Sequence, residues 1–293
     1  MNTNKHFRNK QNVENFLNDT ILETQANVYP KIKVIYFSPT GTTKKIIKNI
    51  IKGLMPGKID DIDLTKSNMV LKKETVNMNE DDLIILGSPV YGGFLYKAFR
   101  NTIKSIDFKG KPVAITLLYG NASILFAKRE IISLVKENNG KVVGYGAFVG
   151  EHSFSTIKNP VALNRPNRRD TNMAILFGKA LRNKLNKKDI AQDNQYTSLF
   201  DKAISQIADK KPTHTGKRFF TVPQTKQERC NQCGICIKKC PKACIDSNLQ
   251  TNKDECIVCM ACVKGCPYNA RITQAKNPLI EYGLKIINKN KKE

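Results

Sequence analysis

The 293-residue sequence predicts an α/β fold, a doubly wound five-stranded parallel sheet, followed by a small cysteine-rich α+β domain. Two observations lead to this fold class. Between residues 31 and 188, short apolar segments alternate with helical segments, which is the pattern of a parallel sheet covered by helices on both faces. All nine cysteines then lie between Cys230 and Cys266. We therefore expect two domains with different chemistry.

The predicted elements follow in order along the chain. The predicted strands are 31–38, 59–64, 82–88, 112–118 and 141–149, and the predicted helices are 42–54, 96–106, 123–138, 171–186 and 196–208. Pro212, Gly216 and Pro223 indicate a linker after the last of these helices. The chain accordingly divides into a helical extension (1–30), the first domain (31–188), a helix and linker (189–226), the cysteine-rich domain (227–276) and a basic tail (277–293).

The chain is strongly basic, with 49 Lys and Arg against 25 Asp and Glu and a formal net charge of +24. Such a charge suits nucleic acid, an anionic membrane surface or an acidic protein, and compositional bias is the alternative. We see no nucleic-acid recognition module and no apolar run of the ~18 residues that a membrane span needs. The polar N-terminus is not a secretory signal. We expect a cytoplasmic protein.

The cysteines form two runs with one spacing, C-x2-C-x2-C-x3-C, each followed by proline. The first run is Cys230, Cys233, Cys236 and Cys240, and the second is Cys256, Cys259, Cys262 and Cys266. Corresponding positions differ by 26 residues, as 230 and 256 do, which indicates an internal duplication. This spacing binds [4Fe–4S] clusters, and the fourth cysteine of each run ligates the other cluster.

Two cluster sites are therefore expected. The cluster I site consists of Cys230, Cys233, Cys236 and Cys266, and the cluster II site consists of Cys256, Cys259, Cys262 and Cys240. Zinc also takes four thiolates, but zinc ribbons use two C-x2-C pairs and explain neither the third cysteine of each run nor the Cys-Pro pair. Residues 227–276 resemble the bacterial two-cluster ferredoxins.

The ninth cysteine, Cys244, falls outside this pattern. The 26-residue offset aligns it with Ala270, so we expect Cys244 to fill a tight packing position as a small hydrophobic residue. A labile ligand or a redox-active thiol is the alternative.

A turn of hydroxyl side chains and glycine follows the first predicted strand and leads into a helix. The candidate residues in it are Ser38, Thr40, Gly41, Thr42 and Thr43. Backbone N–H groups and the helix dipole make such a turn an anion site, although similar residues also cap many helices. The sequence is neither a Walker A motif nor a G-x-G-x-x-G motif.

Two later strands also end in Gly- and Tyr-containing loops. The candidates there are Ser88, Pro89, Tyr91, Gly92 and Gly93 after the third strand, and Tyr119, Gly120 and Asn121 after the fourth. Ligands of open α/β sheets bind at the carboxyl ends of strands beside the switch point. With Tyr36 and the hydroxyl-rich turn, these loops make residues 31–188 resemble the flavodoxins.

The resemblance implies that FMN is the cofactor of the first domain. Residues 38–43 would hold the FMN phosphate, and loops 87–94 and 119–121 would flank the isoalloxazine ring, with Tyr91 and Tyr119 stacking on it and a Gly92 peptide that can reorient. Each tyrosine could instead be a packing residue. His152 either faces the flavin or a substrate, or it is a loop histidine with no catalytic part. Asp60, Asp61 and Asp63 are not expected to bind a metal.

The order of the two domains resembles the flavodoxin–ferredoxin fusion proteins. The resemblance implies an electron-transfer iron–sulfur flavoprotein that passes electrons between two [4Fe–4S] clusters and FMN, thereby coupling one-electron to two-electron chemistry. Its expected partner is another redox protein, and the basic charge favours an acidic one. The alternatives are an FMN-dependent reductase of a small acceptor such as a quinone, and a redox or iron sensor.

Overall fold

The computed structural model describes residues 31–65, 82–186, 207–208 and 215–289, so the predicted extension 1–30 and most of the predicted helix 196–208 lie outside the described residues. The strands are β1 (Lys31–Tyr36), β2 (Ile59–Asp63), β3 (Asp82–Tyr91), β4 (Phe94–Leu95), β5 (Pro112–Tyr119), β6 (Lys141–Val149), β7 (Gln224–Thr225) and β8 (Arg271–Ile272). The helices are α1 (Thr42–Leu54), α2 (Lys97–Lys104), α3 (Leu125–Glu137), α4 (Arg168–Asn186), α5 (Ile235–Lys238), α6 (Ala261–Lys264) and α7 (Pro278–Lys289).

The first domain is built on the sheet β2-β1-β3-β5-β6, whose five strands are parallel. This order confirms the predicted doubly wound sheet, with its switch point between β1 and β3. The short strand β4 was not predicted, and it pairs antiparallel with the end of β3. The carboxyl ends of β1, β3 and β5 consequently lie side by side.

Each face of the sheet is covered by its own apolar layer because alternate side chains of a strand point to opposite faces. Ile35 and Ile84 pack in a cluster with residues of α2 and α3, such as Phe99 and Ile131. The neighbouring strand residues pack on the other face with α1 and α4. The fully buried strands explain why the sequence reads as continuous apolar runs.

Two glycines allow close backbone contact between helices α1 and α4. A Cβ atom on Gly53 would lie 2.0 Å from the backbone oxygen of Ile175, and one on Gly178 would lie 2.0 Å from that of Ile50. The two backbones therefore touch, and no side chain fits at either position. Since α1 begins at the hydroxyl-rich turn, this contact also positions that turn.

A buried ion pair fixes the elements that follow β3. Arg100 of α2 and Glu130 of α3 are almost completely buried, with 2.6 Å between Arg100 Nε and Glu130 Oε1. The second oxygen of Glu130 accepts a hydrogen bond from the backbone N–H of Leu95 in β4. Breaking a buried pair leaves an uncompensated charge, so this network ties β4 to both helices.

Residues of the predicted linker pair with residues of the predicted cysteine-rich domain. Strand β7 pairs antiparallel with β8, Phe220 forms a bridge with Ala275, and the N–H of Thr221 donates to Gln274. Residues 220–225 were predicted as linker because Pro223 and the preceding Gly216 are typical of loops. Within the predicted tail, α7 is helical and buries Leu284 in the same apolar cluster as Phe220.

Candidate functional site

The hydroxyl-rich turn connects β1 to α1 and presents unpaired donors. Gly41 is the residue before the helix and has a φ of 82°, which glycine adopts without strain, and no side chain caps α1 there. Within the described residues, the amides of Thr40, Thr42 and Thr43 have no acceptor. A Cβ on Gly41 would meet no atom within 4 Å, so the space beside the turn is open.

The side chains of the turn divide into two groups. Thr43 is fully buried, and its Oγ1 has no hydrogen-bond partner among the described residues, whereas the Oγ1 atoms of Thr40 and Thr42 lie 3.3 Å apart. Ser38 instead stabilises the turn, because its Oγ accepts the N–H of Lys44 and its own N–H donates to Thr65. Free amides and hydroxyls at a helix N-terminus fit a phosphate group.

The lysines and aspartates near this turn pair with one another. Lys44 Nζ lies 3.1 Å from Asp63 Oδ2 and 5.3 Å from the centre of the Tyr36 ring, and Lys33 pairs with Asp60. Burial, followed by the charges of Asp63 and Asp61, raises the pKa of Tyr36 well above its usual range. The charge of Lys44 is therefore directed toward β2 and away from the open side of the turn.

The predicted loop 87–94 is largely a β-hairpin, which corrects the sequence prediction. Strand β3 continues through Ser88 and Pro89 to Tyr91 before the chain turns at Gly92 and Gly93. Both glycines have positive φ, 57° and 85°, as a tight two-residue hairpin turn requires. Pro89 is tolerated inside the strand because it lies where the β3–β5 pairing ends. A regular hairpin, not an irregular loop, therefore lies at this end of the sheet.

Two tyrosines of this hairpin region lie close to a cysteine of the second run. Burial, with a contribution from the negative charge of Cys259, raises the pKa of Tyr91 well above its usual range and that of Tyr96 to about 12. Ile257, two residues before Cys259, packs against the apolar cluster that contains Tyr96. The predicted flavin-flanking hairpin therefore contacts the cysteine-rich domain.

The second predicted loop, Tyr119 to Asn121, contacts both the chain after β6 and the C-terminal helix. A Cβ on Gly120 would lie 2.4 Å from Cδ2 of His152, so only glycine allows this close approach. Asn121 is buried and donates from Nδ2 to the backbone oxygen of Ile287 in α7, at 2.9 Å. His152 thus packs directly on a predicted flavin loop.

His152 is held in one orientation and remains uncharged at neutral pH. Its Nδ1 accepts the N–H of Phe154 at 3.2 Å, which fixes the ring. Burial, assisted by the positive charge of Lys264, lowers the pKa of His152 to about 4. A neutral imidazole with its Nδ1 occupied has only Nε2 left to donate a proton.

A direct interface joins the two domains beside these loops. The rings of Phe154 and Phe220 stack with centroids 3.6 Å apart and planes 5° apart. On the cysteine-rich side, Lys264 of α6 donates hydrogen bonds to the carboxylate of Glu151 and to the backbone oxygen of Ser155. No sequence pattern indicates these contacts, because none of these residues belongs to a motif.

The cysteines gather into two cavities. One is lined by the sulfur-bearing residues Cys230, Cys233, Cys236 and Cys266, and the other by Cys240, Cys244, Cys256, Cys259 and Cys262. Each cavity thus contains three cysteines of one run and the fourth cysteine of the other, which is the predicted arrangement of ligands. The second cavity also contains Cys244.

The backbone repeats with the 26-residue offset. Three pairs of residues share a positive φ: Gln232 and Val258 (61° and 52°), Gly234 and Met260 (69° and 65°), and Ala243 and Asn269 (48° and 49°). Such conformations are uncommon for residues with a side chain, and their repetition shows that both runs fold into the same loop.

Backbone amides are directed at the cysteine sulfurs at equivalent positions of the two runs. Gln232 and Val258 donate to the sulfurs of Cys230 and Cys256, both at 3.4 Å. Cys244 and Ala270 donate to Cys240 and Cys266, at 3.4 and 3.3 Å. N–H···S hydrogen bonds stabilise thiolate ligands, so the donor set fits iron–sulfur clusters. Among the described residues, no group of three or more His, Cys, Asp or Glu side chains is placed to hold one metal ion.

Cys244 is buried beside the predicted ligands of the cluster II site. Its sulfur lies 3.4 Å from that of Cys240, and hydrogen bonds to Cys240 and Cys256 raise the pKa of the Cys244 thiol far above its usual range. The same contact lowers the pKa of Cys240 to about 6. Within this pair, Cys244 therefore holds a proton more strongly than Cys240 does.

The two cavities differ in their exposure. Cys256, Cys259 and Cys262 of the cluster II site are all buried, and burial raises the pKa of Cys262 to about 11. In the cluster I site, Cys233 is exposed. The cluster I site therefore faces solvent, whereas the cluster II site faces the first domain.

Two family models match parts of the chain, one in each domain. The family described as flavodoxin domain matches residues 33–138, and the 4Fe-4S binding domain matches residues 249–272, which contain the second cysteine run. No curated protein matches the chain. No helix among the residues that the structure describes is long and apolar enough to span a membrane.

Several solved flavodoxin structures are similar to the first domain. A flavodoxin from the domain Archaea is 19% identical, with a TM-score of 0.38, over 53% of this chain and 99% of its own. Flavodoxin 1 from Bacillus cereus is 21% identical (TM-score 0.38; 53% and 97% of the two chains). The Fusobacterium nucleatum flavodoxin bound to flavin mononucleotide is 22% identical (TM-score 0.38; 54% and 98%). The chain is therefore similar to a flavodoxin domain in its first half and to a 4Fe–4S binding domain in its second, which is the order of the flavodoxin–ferredoxin fusions that it resembles.

Proposed function

We propose that this protein is an electron carrier in which FMN, bound to the first domain, exchanges electrons with two [4Fe–4S] clusters in the second. The packing of Ile257 against the apolar cluster that contains Tyr96 carries the proposal, since Ile257 lies two residues before Cys259 and brings this predicted ligand of the cluster II site next to the hairpin expected to flank the flavin. Clusters transfer single electrons and FMN accepts one or two, so the pair can couple these two kinds of chemistry.

The residues of the first domain would act on FMN in distinct ways. The free amides of the turn and the hydroxyls of Thr40 and Thr43 would bind the phosphate, and Tyr91 and Tyr119 would flank the ring. His152, neutral and in contact with Gly120, has one free nitrogen for a proton near the flavin loops. FMN is proposed over FAD because the turn offers one phosphate site and no dinucleotide motif.

The interface supports a fixed path between the proposed cofactors. The Phe154–Phe220 stack and the Lys264–Glu151 pair hold the cluster II site against the first domain. A fixed interface favours electron transfer, because the chain then does not have to rearrange before an electron passes between the bound cofactors. The cluster II site would therefore be the neighbour of FMN, and the cluster I site would be the more distant one.

The exposed cluster I site is the proposed point of contact with a protein partner. Lys242 lies 3.9 Å from Glu255 and lines the cavity of the cluster II site, whereas Lys238 and Lys239 are exposed near the first cysteine run. These charges would steer an acidic redox protein toward this end, an effect that acts on association and weakens with salt over ~10 Å. Electron transfer to such a partner should slow as ionic strength rises.

Anaerobic purification with cofactor analysis tests the proposal. We expect about eight iron atoms and one FMN per chain, as two [4Fe–4S] clusters and one flavin require, and EPR signals of reduced clusters. FAD, no flavin, or zinc in place of iron would contradict it. Steady turnover of a quinone would indicate a reductase instead, and partner affinity that changes on cluster loss would indicate a sensor.

A further inference from the structure

Arg271 is a buried cation at a position where the duplication has an apolar residue. It is the first residue of β8 and is 2% exposed. The 26-residue offset aligns it with Ile245, which is also buried. The loop of the first run folds around isoleucine, so the fold itself does not require a charge at this position.

The guanidinium of Arg271 donates four hydrogen bonds to neutral oxygen atoms. Nη1 donates to Thr225 Oγ1 (2.7 Å) and to the backbone oxygen of Leu249 (3.0 Å), and Nη2 donates to the backbone oxygen of Pro223 (2.8 Å) and to Thr251 Oγ1 (2.5 Å). The buried Nε has no acceptor in the part of the chain that the structure describes.

No carboxylate within the described residues pairs with Arg271. Neutral hydrogen bonds satisfy donors but do not balance a charge, and burying an unbalanced charge is strongly unfavourable. The folded protein therefore needs negative charge close to this side chain.

That negative charge is available from both cysteine sites. Nη2 of Arg271 lies 3.9 Å from the sulfur of Cys262 in the cluster II site. Arg271 also lines the cavity of the cluster I site together with Cys236 and Cys266. A [4Fe–4S] cluster with four thiolates carries a charge of about −2 when oxidised, and one added electron makes it about −3.

We infer that Arg271 is the counter-ion shared by the two clusters and that its charge raises the reduction potential of both. A buried positive charge favours the more negative, reduced form, and at 3.9 Å from a ligand sulfur it acts in a medium of low dielectric constant. Arg271 touches no reacting atom and acts on the clusters only through its charge. This inference rests on the proposed presence of two clusters.

A redox titration followed by EPR, performed on the anaerobically purified full-length protein, tests the inference. In Arg271→Gln, both clusters should become harder to reduce, with each reduction equilibrium constant lowered at least tenfold, which is 59 mV for a one-electron couple. Arg271→Lys keeps the charge and loses part of the hydrogen-bonding fork, so the reduction equilibrium constants of its clusters should remain within threefold of the wild-type values.

Arg229→Gln is the matched control, because Arg229 is an exposed arginine next to Cys230. It removes the same charge from the surface, and its small effect should disappear at high salt, whereas that of Arg271→Gln should persist. If the Arg271→Gln protein does not retain iron, the Arg271→Lys protein provides the test. Unchanged reduction potentials in that variant support a role for the charge. Lowered potentials indicate that the hydrogen bonds alone matter, and they overturn the inference.

The outcomes separate this inference from the proposed function. A wild-type protein without two clusters contradicts the proposed function itself. Two clusters in the wild type, with potentials that do not change in an iron-loaded Arg271→Gln variant, overturn only the inference about Arg271.

Discussion

Replacing Thr43 by valine should stabilise the flavin-free protein and weaken its binding of FMN. Thr43 is fully buried at the start of α1, and its Oγ1 has no partner among the described residues. An unsatisfied buried hydroxyl costs about 1–3 kcal/mol. Valine keeps the shape of threonine without the hydroxyl, so the flavin-free Thr43→Val protein should gain about 1 kcal/mol in its free energy of unfolding.

FMN binding should respond in the opposite sense. In the proposed site the Thr43 hydroxyl donates to the phosphate, and losing a hydrogen bond to a charged group costs about 1.5–3 kcal/mol. Since each 1.4 kcal/mol changes Kd about tenfold, Thr43→Val should raise the Kd for FMN roughly 10- to 150-fold. Thr40→Ala should also weaken FMN binding, by roughly 1–3 kcal/mol.

Urea unfolding of the flavin-free protein and fluorescence titration with FMN measure the two effects. Thr116→Val is the matched control, because Thr116 is also fully buried and its Oγ1 also lacks a partner in the described part, but it lies within β5 and outside the turn. The Thr116→Val protein should gain stability without a change in its Kd for FMN. If Thr43→Val binds FMN as tightly as the wild type, the assignment of the phosphate site is refuted.

Three further predictions concern the cysteines, His152 and the domain interface. Cys244→Ala should leave the iron content unchanged, whereas alanine at any of the eight predicted ligands should lower it or convert the cluster; iron analysis and EPR decide, and cluster loss in Cys244→Ala contradicts the ligand assignment. Because the pKa of folded His152 is lowered to about 4, the unfolded chain takes up a proton first as pH falls below about 6.5. The free energy of unfolding of the flavin-free protein should therefore fall by up to about 2 kcal/mol between pH 7 and pH 5. A His152→Asn variant whose stability has the same pH dependence would show that His152 is not the cause. Lys264→Met removes the cation that binds Glu151 and Ser155, and should cost about 1 kcal/mol and slow electron transfer between the domains. The matched variant at exposed Lys253 should have no effect, and an unchanged transfer rate in Lys264→Met would remove the interface from the electron path.

The fold of the first domain was predictable from the sequence where local signals agree. Helix α1 begins at Thr42 and ends at Leu54 as predicted, because Gly41 and Pro56 mark its ends and its apolar residues have helical spacing. Strand β6 also has the predicted bounds. The end of β3 was predicted too early, since Pro89 is typical of a strand end.

The relation between the two domains could not be predicted in this way. Phe154 and Phe220 lie in segments without regular periodicity, and their stacking depends on the arrangement of the whole chain. The pairing of Lys264 with Glu151 bridges 113 residues of sequence. Arg271 could have been noticed by aligning the two runs, because the offset pairs a charged residue with Ile245.

Time-resolved reduction tests the central proposal most directly, which is that electrons pass between the clusters and FMN of one chain. A photochemical reductant in limiting amount would deliver one electron to the clusters of the FMN-loaded protein, and flavin absorbance would then be followed. We expect the flavin to be reduced in a first-order step whose rate is independent of protein concentration. A rate proportional to protein concentration, or clusters that stay reduced while FMN stays oxidised, would contradict the proposal.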